Sequence, residues 1–151
     1  MNSISSSKSM NLSGNLSVPG DKSISHRSLI IGSLVSGRIE INNLLESEDV
    51  IATAEALKIL GVKINKLNDK WEVFGSGIGN FFGSNYTLNM GNSGTGARLL
   101  MGLVAGSDVE ATFIGDKSLS KRPMKRVTAP LKKTGAIIVG QTDNLPIKIQ
   151  G

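Results

Sequence analysis

The 151-residue chain contains no cysteine and a single histidine. The first absence rules out a disulfide framework and thiolate metal sites, and the second leaves no histidine cluster for zinc, so neither a metal nor any other cofactor is expected. Aromatic residues make up only 4% of the chain, too few for the stacking platforms of single-stranded nucleic-acid binders. The formal net charge is +5, yet Lys and Arg are spread along the sequence rather than gathered in a stripe. No nucleic-acid partner is therefore expected, and anionic small molecules account better for the charge. No apolar run approaches the roughly 20 residues that cross a bilayer. The Ser- and Asn-rich start, Met1 to Asn11, has neither the apolar centre of a signal peptide nor the arginines of a transit peptide. Residues 1–11 are expected to be a disordered leader, and the chain to be cytoplasmic with no membrane partner.

What the chain does have is three polar, glycine-punctuated stretches, each carrying an arginine. The first is Pro19-Gly20-Asp21-Lys22-Ser23-Ile24-Ser25-His26-Arg27, leading into Ser28-Leu29-Ile30-Ile31. Lys22, Ser23 and Arg27 crowd the place where a helix is predicted to begin, with free backbone N–H groups and a positive dipole end. Lys22 offers a point charge and Arg27 a planar fork, a pair suited to a doubly anionic ligand. The bland alternative is a solvated helix start. The second stretch, Gly91-Asn92-Ser93-Gly94-Thr95-Gly96-Ala97-Arg98, runs into Leu99-Leu100-Met101. The third, Gly115-Asp116-Lys117-Ser118-Leu119-Ser120-Lys121-Arg122-Pro123-Met124, adds another pair of adjacent cations.

The chain also repeats itself. Strand Leu16-Ser17-Val18, helix 24–35, turn Ser36-Gly37 and strand Ile39-Glu40-Ile41 lie over strand Thr87-Leu88-Asn89, helix 95–105, turn Gly106-Ser107 and strand 109–114, with Arg27 on Arg98. Helices closed by Gly61 and Gly135 follow, as an αL glycine ends a helix and releases the chain into a strand. Then come hairpins, Val62–Asn65 to Trp71–Phe74 turning at Asn68-Asp69, and Ala136–Val139 to Pro146–Ile149 turning at Asp143-Asn144. Gly75 and Gly151 end them. Each half is a β-α-β-α-β-β unit of about 70 residues, so the fold class is α/β. In the predicted helix 50–60, Val50, Ile51, Ala54, Leu57 and Leu60 form an apolar stripe facing a sheet, and Trp71 and Phe74 are expected in the core. Asp49 is expected to cap that helix rather than to hold a cation.

Taken together and in order, the three polar stretches resemble those of the EPSP synthase (3-phosphoshikimate 1-carboxyvinyltransferase) family, and the resemblance runs from Leu12 to Gly151. It implies the enolpyruvyl transferase fold, in which each of two domains is built from three β-α-β-α-β-β units. By that comparison residues 12–18 are the first strand of the opposite domain. Residues 19–151 are then a partial domain, with repeat one at about 16–75 and repeat two at about 86–151, two of the usual three units. The implied activity transfers the enolpyruvyl group of phosphoenolpyruvate to the 5-hydroxyl of shikimate 3-phosphate, in chorismate and aromatic amino acid biosynthesis. Carried over by motif, Lys22 contacts both substrates and shares proton transfer, Ser23 and Arg27 hold the shikimate moiety, and Gly94 and Arg122 line the phosphoenolpyruvate site. Arg98 is expected to orient its loop, and His26 not to be catalytic. The family's remaining site residues fall beyond Gly151, so this chain alone is expected to be inactive and to need a complementing C-terminal polypeptide. Alternatives are a degenerate remnant that binds anions weakly, or another enolpyruvyl transferase. The Lys22-Ser23 pair disfavours the last, because the UDP-N-acetylglucosamine enzyme carries Lys-Asn there. A split gene product, a decayed remnant and a cloned fragment are all open readings of the chain's length.

Overall fold

The first helix of each half is capped by the side chain before it. Asp21 Oδ1 accepts the backbone N–H of Ile24 at 2.7 Å to start α1 (Lys22–Leu34), and Ser93 Oγ accepts that of Gly96 at 3.2 Å to start α3 (Gly94–Ala105). Each cap satisfies one of the N–H groups that a helix start leaves free, worth about 1 kcal/mol. The structure, a computed structural model, describes residues 3–140 and 144–151.

After α1 come β1 (Ser36–Asn42), α2 (Glu48–Ile59), β2 (Lys63–Leu67) and β3 (Lys70–Ser76). The second half runs β4 (Phe82–Asn89), α3, β5 (Asp108–Ile114), a 3₁₀ turn at Leu119–Lys121, α4 (Lys125–Lys133), β6 (Ile137–Val139) and β7 (Ile147–Gln150). The strands form two separate sheets, β1-β3-β2 and β4-β5-β7-β6. In both, the middle of the unit is antiparallel, while β4 joins β5 in parallel. The helices pack between the sheets on one continuous core that includes Leu29, Leu57, Leu100, Met101 and Phe113. This is the mixed α/β repeat expected from the pattern. Among the described residues no helix is long and apolar enough to cross a membrane.

The glycine stops fall where the repeat places them. Gly61 (φ 94°) and Gly135 (φ 109°) take the left-handed conformation that closes α2 and α4. The next residues then donate back across the end, Val62 N to Leu57 O at 3.0 Å and Ala136 N to Leu131 O at 3.1 Å. Val50, Ala54, Leu57 and Leu60 are buried on α2 as the stripe requires, with Ile51 at its margin. Both hairpins form. The first turns at Asn68, which has φ 53°. In the second, Asp143 lies outside the described residues.

Two expectations need correction, and the strand expected at residues 12–18 has, among the described residues, no opposite domain to join: residues 3–21 carry no helix or strand, and Leu16 is 87% exposed. A strand exists only through the ladder of a neighbour, and none of the described strands lies beside this segment. Phe74 is half-buried beneath the Lys63 ammonium, whose Nζ stands 5.0 Å from the ring centroid, whereas Trp71 is 6% exposed. Side chains three apart on a strand point to opposite faces, so both could not enter one core. The second repeat begins at Phe82 rather than near residue 86, because β4 continues through an irregularity between Gly83 and Tyr86.

Candidate functional site

The first polar stretch divides into side chains that build the helix start and side chains that leave it. Asp21 is the cap. Ser25 Oγ donates to Asp21 O at 2.8 Å and accepts the N–H of Leu45 at 3.0 Å, pinning α1 to the loop that follows β1. His26 is fully buried, with Nδ1 2.8 Å from Thr53 Oγ1 on α2. Thr53 in turn donates to Asp49 O at 3.4 Å, so its oxygen accepts from Nδ1–H, and the unpartnered Nε2 carries the lone pair. Lys22, Ser23 and Arg27 are exposed, the last two one helical turn apart on the same side of α1.

Asp49 does not cap α2. Ser47 occupies the cap position without a side-chain bond, α2 begins at Glu48, and the Asp49 carboxylate forms an ion pair with Lys22 Nζ. A carboxylate one residue inside the helix points away from its own first N–H groups and here faces the start of α1. The sequence contained Asp49 and Lys22 but not the packing of α1 against α2 that joins them.

The second and third stretches are knitted into one unit. Asn92 Nδ2 donates to Asp116 Oδ2 at 2.7 Å, and Arg122 Nη2 donates to Asn92 Oδ1 and, at 3.3 Å, to Ser118 Oγ. Asp116 Oδ1 accepts the Leu119 N–H at 2.7 Å. That bond, with further donors from Asn92 and Ser118 and the Arg122 charge, holds the Asp116 carboxyl below the usual carboxylate range. Arg98 donates to Gly94 O at 3.1 Å and to Pro123 O at 3.4 Å. It therefore ties the Gly94 loop to the residue after Arg122, the orienting task expected of it. A methyl group on Gly94 would lie 3.0 Å from both the Arg122 and the Arg98 Nη1 atoms, so the absence of a side chain lets two guanidinium groups approach this helix start.

Arg98, Arg122 and Arg126 together line a 360 Å³ cleft with Pro123, and among the described residues no carboxylate lines it. Burial, and then the neighbouring charges of Arg126 and Arg122, lower the Arg98 pKa, and its Nε is buried without a partner. Such a cluster is an anion site by its electrostatics. Arg126 was not singled out from the sequence. Its signal was present in the cation pair Lys125-Arg126 at the start of α4.

The two sets of cations meet through the helices. His26 reaches Thr53, and Thr53 lies so close to Gly96 that a Cβ there would collide with its hydroxyl. The N-terminal halves of α1, α2 and α3 thus converge, bringing Lys22 and Ser23 to the same end as Gly94. Arg27 sits differently, lining a groove between α1 and β1 that does not include Arg122. The structure brings Gly94 and Arg122 together and sets Arg27 apart from them.

Burial lowers the His26 pKa below 6.5, the nearby Asp49 carboxylate opposing and the Lys22 ammonium reinforcing the shift. The unfolded chain therefore binds more protons than the folded one as pH falls through 6.5, and stability drops in that direction. Because His26 is the only histidine, the urea midpoint is expected to fall between pH 7.5 and 5.5, and His26→Asn to flatten that dependence. An unchanged slope in the variant would assign the dependence elsewhere.

The family model described as EPSP synthase (3-phosphoshikimate 1-carboxyvinyltransferase) matches residues 6–151. A curated 3-phosphoshikimate 1-carboxyvinyltransferase from Parvibaculum lavamentivorans is 53% identical over 142 residues, covering 93% of this chain and 32% of that protein. Its counterpart from Lactococcus lactis subsp. cremoris is 52% identical over 145 residues, covering 95% and 34%. A solved structure of EPSP synthase from Acinetobacter baumannii superposes with a TM-score of 0.84 at 40% identity, covering 91% of this chain and 32% of that one. The chain spans about a third of the length of the curated relatives it matches.

Proposed function

Because this chain belongs to the EPSP synthase family and corresponds to an N-terminal portion of it, we propose that it forms one wall of a site for shikimate 3-phosphate and phosphoenolpyruvate. The rest of that site comes from polypeptide beyond this third, and enolpyruvyl transfer requires both parts. In the transfer, the 5-hydroxyl gives up its proton to a base as its oxygen bonds to the phosphate-bearing carbon of phosphoenolpyruvate, whose methylene carbon takes a proton and becomes methyl. The tetrahedral adduct then loses a proton from that carbon and expels phosphate, restoring the double bond. Negative charge is present at every stage, so a wall of fixed cations and helix N-termini lowers the barrier without having to reorganise.

Lys22, held by Asp49 at the start of α1, is placed to contact both substrates and to share the proton movement. Ser23 and Arg27 hold the shikimate 3-phosphate side, and Gly94 and Arg122 the phosphoenolpyruvate side. Arg98 and Arg126 complete the positive lining of the latter. The observation that carries this reading is the cleft lined by three arginines against the Gly94 helix start. Both substrates are cytoplasmic metabolites in this reading, and so is the protein.

The test is calorimetric titration of the chain with each compound. A hydrogen bond to a charged group is worth about 1.5–3 kcal/mol, so Lys22→Met and Arg27→Ala are expected to weaken shikimate 3-phosphate binding by roughly 10- to 100-fold. Arg122→Met is expected to do the same for phosphoenolpyruvate. Affinities that survive all three changes would remove the proposed site.

A further inference from the structure

Arg122 reaches its cleft by way of a short turn and a neutral spacer, and one carboxylate sets both. Asp116 is fastened at backbone level to the second polar stretch: its N–H donates to Gly91 O at 2.8 Å, and its carbonyl accepts the Ser120 N–H at 2.9 Å. Its side chain then acts in two directions. Oδ1 accepts the Leu119 N–H at 2.7 Å and so starts the 3₁₀ turn that ends on Arg122. Oδ2 accepts from Asn92 Nδ2 at 2.7 Å. An ionised carboxylate only accepts and a guanidinium only donates, so the carboxamide between them has a single orientation open to it, Nδ2 toward Asp116 and Oδ1 toward Arg122.

We propose that Asp116 is a positioning residue for phosphoenolpyruvate: through the Asn92 carboxamide it fixes Arg122 Nη2, and so aims Arg122 Nη1 at the Gly94 helix start without neutralising it, a role that presupposes the phosphoenolpyruvate reading of this cleft. The geometry divides the fork in that way. Nη2 is the nitrogen that donates to Asn92 Oδ1 and to Ser118 Oγ, while Nη1 faces the Cβ position of Gly94 at 3.0 Å. The spacer also preserves the charge. Among the described residues no ion pair joins Asp116 to Arg122, and Asp116 does not line the arginine cleft. Of the influences that lower the Asp116 carboxyl pKa, the Arg122 charge is the weakest. A carboxylate paired directly with Arg122 would compete with an anionic ligand for the same fork, whereas a carboxamide occupies one nitrogen and leaves the cation its charge.

The test is Asp116→Asn, a near-isosteric change. The new amide can still accept the Leu119 N–H, but it turns a donor toward the Asn92 donor, so Asn92 must rotate and present Nδ2 to Arg122. Nitrogen NMR of the arginine side chains reads the outcome without a ligand, the Arg122 signals being those lost in Arg122→Met. In the parent the two Nη groups of Arg122 are expected to be resolved, because a bonded Nη2 hinders rotation about Nε–Cζ. They are expected to merge in Asp116→Asn, and equally in Asn92→Ala, which removes the spacer while the Asp116 bond to Leu119 stays. Calorimetry with phosphoenolpyruvate is expected to give an affinity roughly tenfold lower in Asp116→Asn, and no further loss when that change is added to Arg122→Met. Arg122 signals that stay resolved in either variant overturn the proposal, as does a loss of affinity as large in the Arg122→Met background as in the parent. An affinity untouched by Arg122→Met removes the proposed function instead, and the guanidinium signals then decide the positioning by themselves.

Discussion

Replacing Gly75 by alanine is expected to destabilise the chain by about 4 kcal/mol or more, at the top of the range for a single substitution. Gly75 lies opposite Gly37 in the β1–β3 ladder, directly under the end of α1. A Cβ built on it would overlap the carbonyl oxygens of Val35 and Gly32 and approach that of Ser33 at 2.9 Å. These are the final carbonyls of a helix that packs on β3, so neither side can retreat without separating the helix from its sheet. A flexible side chain could move aside, but three backbone oxygens cannot. Domains of this kind have only about 5–15 kcal/mol to lose, and a large population of unfolded chain should follow. Urea unfolding followed by circular dichroism checks it, and a midpoint equal to that of the parent would mean that α1 does not rest on β3 this closely. Gly151 meets the Val104 and Ser107 carbonyls in the same way.

The second large effect is expected at Gly96, where α3 crosses α2. An alanine methyl there would strike the Thr53 hydroxyl, lie 2.7 Å from Ser93 Oγ and press on Met90 Cε at 3.1 Å. It would therefore disturb the hydroxyl that receives the His26 proton and the cap that starts α3 in one step. A loss of about 3 kcal/mol is expected, together with weaker phosphoenolpyruvate binding as the Gly94 turn shifts. The two consequences separate in a double variant. Thr53→Ala removes the colliding oxygen, so Gly96→Ala combined with Thr53→Ala should be less destabilised than the sum of the single changes. Strict additivity would place the strain elsewhere in the loop.

Both of these positions show what local reading leaves out. The starts of α1 and α3 were visible because a cap acts within three residues, as Asp21 does on Ile24. The stops at Gly61 and Gly135 were visible because a left-handed residue is a local need. Gly75 and Gly96 were seen only as a hairpin end and a loop glycine, since the atoms that would be struck hardest, the Val35 and Gly32 carbonyls at Gly75 and the Thr53 hydroxyl at Gly96, belong to residues 40 or more positions away. The same holds in the site. Lys22, Ser23, Arg27, Gly94 and Arg122 stood out as cations and glycines at predicted helix starts, but the Asp49 partner of Lys22 and the place of Arg126 beside Arg98 depend on how helices pack. Residues 12–18 show the converse. Their alternation is that of a strand, and alternation does not supply the neighbour a strand requires.

All described backbone pairing between strands is closed within residues 36–76 or within residues 82–150, and nothing crosses from one sheet to the other. The halves are joined by helix packing, with Thr53 of α2 against Gly96 of α3, and by the single covalent thread of Gly77 to Phe81. In mechanical terms the molecule is two stiff plates glued by a softer layer, and the Lys22 and Gly94 loops sit on opposite sides of that glue line. A sheared hydrogen-bond ladder would be needed to distort either plate, whereas small sliding of α1 and α2 over α3 changes only packing. The spacing between the two loops is thus the most compliant dimension of the proposed site.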